Sequence, residues 1–387
     1  MVSRLLFEGW RFIPHSFALV AQWHCLCLLQ HRDIRLRFVD LPYYRDNWRR
    51  TRGIFNPAQE DALGALKAPD TAFVPEVTYT LRPERPDLSA PLFGRRFTFA
   101  TAEYRILTDE NRSGLASAAN VPQSVNVVTP SRWTALAFER FGLPSERIHV
   151  VPHGIDPAVF RPDTAARKAA RETLGVRDAF VYMSVGAMSW NKGLDVLVAA
   201  FSRVAETEPQ ARLFLKGADA LYPSREYVQE VVGDLPARAR ALVAEKLIYD
   251  GGTYPSRMMA DLLRAADVYV SPYRAEGFNM PVLEAVASGV PVVCTSGGPT
   301  DEFTDESFAH HIRSSPARRR LGANELGDCL EPDLDHLVEL MRRAPRERDE
   351  ASRRADAGVA HAVQNFTWER VTDKLLDAFN RKPAAVA

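Results

Sequence analysis

Residues 265–303 read AADVYVSPYRAEGFNMPVLEAVASGVPVVCTSGGPTDEF, and the order of segments in this stretch decides the fold. Val268–Ser271 is an apolar run of strand length, and Val290–Cys294 is a second. Between them a tight loop leads into a helix opening near Pro281, because proline at a first helical position loses no intrahelical hydrogen bond. Strand, helix and strand in this order predict parallel pairing. Gly277 is expected to turn the chain where a Cβ would clash. The N–H groups of Phe278, Asn279, Met280 and Val282 are expected to point out of the helix start as a backbone anion cradle. Glu276 stands in front of that cradle and Glu284 about one turn inside the helix. Two carboxylates beside an anion site suit a ligand carrying both phosphates and hydroxyls.

The rest of the chain repeats this alternation. At 387 residues it is long enough for two ordinary domains. Arg4–Trp10, Ser16–Gln30 (with Ser16 as N-cap) and Ile34–Leu41 predict strand, helix and strand. Further strands are expected at Ala72–Val77, Phe97–Ala102, Ser124–Thr129 and Arg147–Pro152, with a helix from Ser131 to Phe141. His153-Gly154-Ile155-Asp156-Pro157 is a glycine turn leading into a charged connector, Ala158–Arg171, and marks the domain boundary. The second half restarts with Phe180–Val185, the loop Gly186–Lys192 and a helix Gly193–Glu206. Strands Arg212–Leu215 and Leu247–Tyr249 follow, then a helix capped by Ser256. Helices are expected at Asp333–Arg343, Ala351–Gln364 and Thr367–Asn380. Two such halves predict two doubly wound α/β domains.

Composition narrows the function. Hydrophobic residues make up 46% and charged residues 25%, with 49 basic against 49 acidic side chains, so the basic excess a nucleic-acid partner demands is missing. The arginines nevertheless run together at Arg45–Arg52 and Arg318–Arg320. A solvated face is the ordinary reading of such runs, and a polyanionic or membrane-borne acceptor the functional one. Cys25, Cys27, Cys294 and Cys329 lack paired zinc-ligand spacing and read as buried thiols. The segment MVSRLLFEGWRF carries no hydrophobic leader region, and Phe17–Leu29 is too short to span a bilayer and is broken by Gln22 and His24. The expectation is a cytoplasmic protein, with attachment to the inner face of the membrane left open.

Candidate contacts outside the opening stretch follow from position. His15 lies in a glycine-free loop after the first strand, at the end of a sheet where α/β proteins bind ligands. It is either a ligand contact or a capping histidine. Lys192 stands at the start of a helix, against the helix dipole, which favours anion binding over a generic surface role. Lys216 ends a neighbouring strand and is read either as a second cation for the same anion or as a surface lysine in a turn. Trp190 is placed to stack on a ligand or to pack in the core.

Several of these motifs together resemble retaining glycosyltransferases of family 4. Glu276-Gly-Phe-Asn-Met-Pro-Val-Leu-Glu284 resembles their E-x7-E signature, and Gly186-Ala-Met-Ser-Trp-Asn-Lys-Gly193 their G-R-L-x-x-x-K-G loop. Val151-Pro-His-Gly-Ile-Asp156 is similar to their interdomain V-P-N-G-V-D. Thr129-Pro-Ser-Arg132 is similar to their last N-domain helix start, and Phe366-Thr-Trp-Glu369 to the start of their final helix. The resemblance is weak over residues 42–95. It implies the GT-B fold, α/β with two Rossmann-like doubly wound parallel-sheet domains and an interdomain cleft. The implied divisions are an acceptor-side domain 1–157, a nucleotide-sugar domain 158–350, and helices 351–387 crossing back to the first.

The resemblance also implies an activity: transfer of a sugar from a nucleotide-diphosphate sugar to a glycan, lipid-linked or small-molecule acceptor, with anomeric configuration kept. No cofactor or metal ion is implied, and the nucleotide sugar is the co-substrate. Catalysis falls to Glu276, Lys192 and His15. Donor binding falls to Gly186, Lys192, Lys216, Gly277, Phe278, Asn279, Met280, Pro281 and Glu284, with Glu284 on the ribose hydroxyls. Two positions depart from the pattern. Ala187 replaces an arginine, a loss Lys216 is expected to offset, and Asn279 replaces a glycine beside the sugar. A nucleotide-sugar binder with impaired catalysis, or another GT-B enzyme such as a phosphorylase or epimerase, is the alternative.

Overall fold

A computed structural model describes residues 1–82, 86–109, 111–112, 115–323 and 325–381. The chain divides into two compact units. The first comprises Met1–Gly154, Arg319–Asp328 and the chain from Trp368 on; the second comprises Ile155–Arg318 and Cys329–Thr367.

The first unit is built on a six-stranded parallel sheet. Its strands are β1 (Arg4–Gly9), β2 (Arg35–Asp40), β3 (Val77–Leu81), β4 (Arg95–Phe99), β5 (Val125–Thr129) and β6 (Ile148–Val150). They lie in the order β2-β1-β3-β4-β5-β6. All five residues of β3 and of β5 are buried, as expected for strands covered on both faces. The edge strand β2 alternates instead. The strand expected at Ala72–Val77 is displaced to Val77–Leu81, because Pro75 cannot donate to a ladder while the Thr and Tyr of VTYTL fit one. The helix Ser16–Leu28 is capped not by Ser16 but by His15, whose Nδ1 accepts from the Phe17 N–H at 3.2 Å. The helix Trp368–Asn380 packs on it: Trp23 and Trp368 stack at 5.9 Å, and His24 contacts Thr372 Oγ1 at 3.1 Å.

The second unit carries β7 (Phe180–Val185), β8 (Ala211–Lys216), β9 (Leu247–Asp250), β10 (Val268–Ser271), β11 (Val292–Thr295) and β12 (Ala309–Ile312). They form a parallel sheet in the order β12-β11-β10-β7-β8-β9. Its core includes Leu197, Phe201, Leu213, Val270 and Val293. A helix, Thr164–Thr173, occupies most of the expected connector. A two-stranded ribbon, β13 (Ser314–Arg320) and β14 (Leu326–Pro332), follows β12. The four cysteines are buried and none of them forms a disulfide. Among the described residues no helix is long and apolar enough to cross a membrane.

Both sheets have a point where the strand order reverses. In the first it lies between β1 and β3, and in the second between β10 and β7. In open α/β sheets the carboxyl ends of the strands at such a point are where ligands bind.

Candidate active site

The loops at the switch point of the second sheet are residues 186–193, after β7, and 272–279, after β10. They are locked together before any functional side chain is considered. Gly193 (φ 66°) sits so close to the second loop that a Cβ would lie 1.9 Å from the Pro272 carbonyl oxygen. The Asn191 carbonyl accepts the N–H groups of Arg274 (2.7 Å) and Ala275 (3.2 Å). Arg274 completes the lock. Its guanidinium makes paired hydrogen bonds to Asp195 (2.6 and 2.8 Å) and to Glu331 of β14 (2.9 and 2.9 Å), and lies 4.5 Å from the Trp190 ring centroid. Bidentate pairs of this kind fix orientation as well as charge. Trp190 thus packs under an arginine.

This lock brings Lys192 and Glu276 together: the ammonium donates to Glu276 Oε1, and the Glu276 carboxylate is buried. The stem of Lys192 runs past Gly186, where a Cβ would meet it at 3.6 Å. Glu284 lies in the helix Met280–Ala287 and is half-buried, and burial pushes its carboxyl up to about 7. The two glutamates converge on Tyr269 of β10, each raising the Tyr269 pKa, although burial of that ring is the larger cause. Lys192, Glu276 and Glu284 thus stand around one switch point.

The helix start differs from its sequence expectation in two respects. The left-handed residue of the turn is Asn279 (φ 76°), not Gly277. Asparagine tolerates that region better than most residues, and its Nδ2 donates 2.9 Å to Ser271 Oγ. Its side chain is therefore directed to β10, a position in which it braces the turn. Val282 N–H, expected to face an anion, donates to the Asn279 carbonyl at 3.1 Å. Met280 and Pro281 form the first helical turn, and Phe278 stacks on Phe303 at 4.6 Å.

Lys216, expected to offset the missing arginine, is engaged by backbone carbonyls. Its Nζ donates to the carbonyls of Gly217 (2.7 Å) and Gly252, and burial lowers its pKa from the ordinary lysine value. It braces two turns beside Tyr254. Ala187 contributes its carbonyl to Ser224 Oγ at 2.7 Å.

His15 belongs to the first unit, in the loop at that sheet's own switch point. Burial lowers its pKa to about 4, so the ring is neutral at pH 7. It packs among Trp10 (5.2 Å) and Trp48 (5.4 Å). Arg274 is the site residue that the sequence reading missed. Its signal is a charge within a nearly apolar run, which demands partners when buried. Asp195 and Glu331 lie 79 and 57 positions away, beyond what spacing reveals.

Residues 179–313 match the family described as glycosyl transferases group 1. The chain is 34% identical over 254 residues to the mannosylfructose-phosphate synthase of Agrobacterium fabrum, covering 65% of this chain and 51% of that protein. It is 30% identical over 269 residues to a D-inositol 3-phosphate glycosyltransferase of Acidothermus cellulolyticus, covering 67% and 54%. The chain thus spans about half the length of these curated relatives. Among solved structures, Anabaena HepE in complex with UDP and glucose superposes with a TM-score of 0.68 at 16% identity, over 99% of this chain and 100% of that one. The last likeness concerns the fold.

Proposed function

We propose that this chain, whose residues 179–313 belong to the group 1 glycosyltransferases, moves a sugar from a nucleoside-diphosphate sugar to an acceptor with retention of anomeric configuration. The observation that carries the reading is the Lys192–Glu276 pair at the switch point, with Glu284 beside it. In the proposed reaction the bond from the anomeric carbon to the diphosphate breaks and a bond to the acceptor oxygen forms on the same face. The acceptor proton passes to a phosphate oxygen. Lys192 stabilises the departing diphosphate where charge develops, helped by backbone N–H groups at the start of the helix Met280–Ala287. Glu276 orients the sugar and offsets the positive charge growing at its ring. Glu284, as the carboxylate, accepts from the ribose hydroxyls. Because Lys192 supplies the positive charge, the reaction is proposed to run without a metal ion, and activity in chelator-treated protein tests that point.

One observation favours a second reading. With Ala187 in place of an arginine, and Lys192 already paired, the site has less free positive charge than its motif implies. A nucleotide-sugar binder with little turnover has that character. Thermal denaturation against nucleoside diphosphates and their sugars tests binding, since a ligand of the native state raises the midpoint by mass action. A rise with at least one nucleoside diphosphate is expected, and no rise with any overturns the proposal. Anomeric couplings of the product, read by NMR, test retention.

A further inference from the structure

The first unit gathers positive charge at its own switch point. The loop leaving β1 at the switch point holds Phe12 at φ 60°, a left-handed conformation that a bulky residue rarely adopts. It is held there from both sides. Phe12 N–H donates to Gln22 Oε1 at 3.0 Å, while the Phe12 carbonyl accepts from Thr51 N–H at 2.6 Å and Tyr43 Oη at 3.3 Å. The buried ring then serves as a platform for two exposed guanidinium groups. Arg50 lies 4.1 Å and Arg52 5.2 Å from its centroid. Tyr43, Trp48 and His15 adjoin the platform.

The charges there do not cancel. Residues 41–53 hold Arg45, Arg49, Arg50 and Arg52 against Asp46. The nearby acids are occupied: Asp40 is paired to Arg11, and Glu60 Oε1 accepts the N–H groups of Gly53 and Ile54. Arg49 donates to the Asp46 and Trp48 carbonyls. Among the described residues Arg45, Arg50 and Arg52 have no acidic partner. A guanidinium held over a ring has N–H donors left for a second partner, and its fork matches phosphate.

We propose that Arg50 and Arg52, with Arg45 beside them, bind a phosphate ester carried by the acceptor. That the ester is carried by the acceptor rests on the transferase reading; anion binding by Arg50 and Arg52 does not. The shared chemistry is a phosphate ester, which a soluble polyol or sugar phosphate and a phosphoinositide headgroup both supply.

The test titrates the full chain, and its Arg50→Gln/Arg52→Gln and Arg50→Lys/Arg52→Lys variants, with inositol 1-phosphate, glucose 6-phosphate, free inositol and glucose. In parallel the three proteins are sedimented with phosphatidylcholine vesicles with and without phosphatidylinositol. The expected result is binding of a phosphate ester but not its unphosphorylated counterpart, weakened at least about tenfold in the Gln variant and less in the Lys variant. Binding of the soluble esters alone assigns a small-molecule acceptor, and binding of phosphatidylinositol vesicles alone a lipid-borne one. Binding of neither, or equal binding by the Gln variant, overturns the proposal. UDP is titrated separately. Protein that binds UDP but no phosphate ester leaves the transferase reading standing without this site. Protein that binds phosphate esters but no nucleoside diphosphate does the reverse.

Discussion

Lys192 and Glu276 neutralise each other, so replacing either changes the charge felt by the other. Lys192→Ala is expected to lower kcat about 100- to 1,000-fold, the range for losing one preorganised donor to developing charge, and steady-state kinetics with the accepted donor check it. Glu284 gives the site a pH signature. Its carboxyl is pushed up to about 7, so the carboxylate proposed to accept from ribose hydroxyls is lost as pH falls through that value. Nucleoside-diphosphate affinity is therefore expected to fall more steeply between pH 8 and pH 6 in the wild type than in Glu284→Gln, and to be weaker at pH 8 in the variant; titration calorimetry reads both. The two glutamates and Lys192 were legible in the sequence because their spacing is local to two loops. The direction of the Asn279 side chain, the carbonyls that hold Lys216 and the partners of Arg274 were not. Each depends on atoms brought near by tertiary packing, which no spacing encodes.

At the level of elements, the site is a consequence of two loops that cannot part. Gly193 is where they touch, and its positive φ and the Pro272 carbonyl both exclude a side chain. Gly193→Ala is expected to cost on the order of 2–3 kcal/mol in unfolding free energy, and to raise KM for the donor by displacing Lys192 from Glu276. Chemical denaturation and donor kinetics measure the two effects. Gly154 makes a similar close approach in the first unit, without a positive φ: a Cβ would meet the Trp368 backbone at 2.8 Å. The strand–helix alternation was readable because buried parallel strands are short apolar runs, and Phe180–Val185 and Val268–Ser271 match to the residue. The helices Ser224–Gly233 and Ala237–Lys246 and the ribbon β13–β14 were not readable. Ala237–Lys246 and β13 are charged and largely exposed, and the apolar positions of Ser224–Gly233 and β14 are too few to set a period.

Across the whole molecule, histidines couple stability to pH. Burial lowers His15, His149 and His310 to about 4, and His24 and His153 to about 3. Below about pH 6.5 the unfolded chain binds protons that these folded rings refuse, so their contribution to stability is full above that pH and lost as pH falls towards 4. Glu284 acts in the opposite sense, since a raised carboxyl favours the folded state as pH drops below 7. With His336 also lowered and Asp301 also raised by burial, six histidines against two carboxyls predict a lower thermal midpoint at pH 5.5 than at pH 7.5, and calorimetry at the two values decides it. The strand orders, which place a switch point in each sheet, were beyond the sequence, because pairing order is a long-range property. They put Lys192 and Glu276 at the end of one sheet and the Arg50–Arg52 platform at the end of the other. The central claim is sugar transfer through the first of these. Its most direct test is nucleoside diphosphate released from a panel of nucleotide sugars, with phosphorylated polyols and glycan extracts as acceptors, by the wild type, Lys192→Ala and Glu276→Gln. Acceptor-dependent release from at least one donor is expected, reduced about 100-fold or more in both variants; release by the variants at the wild-type rate, or none by the wild type with any donor, contradicts sugar transfer at this site.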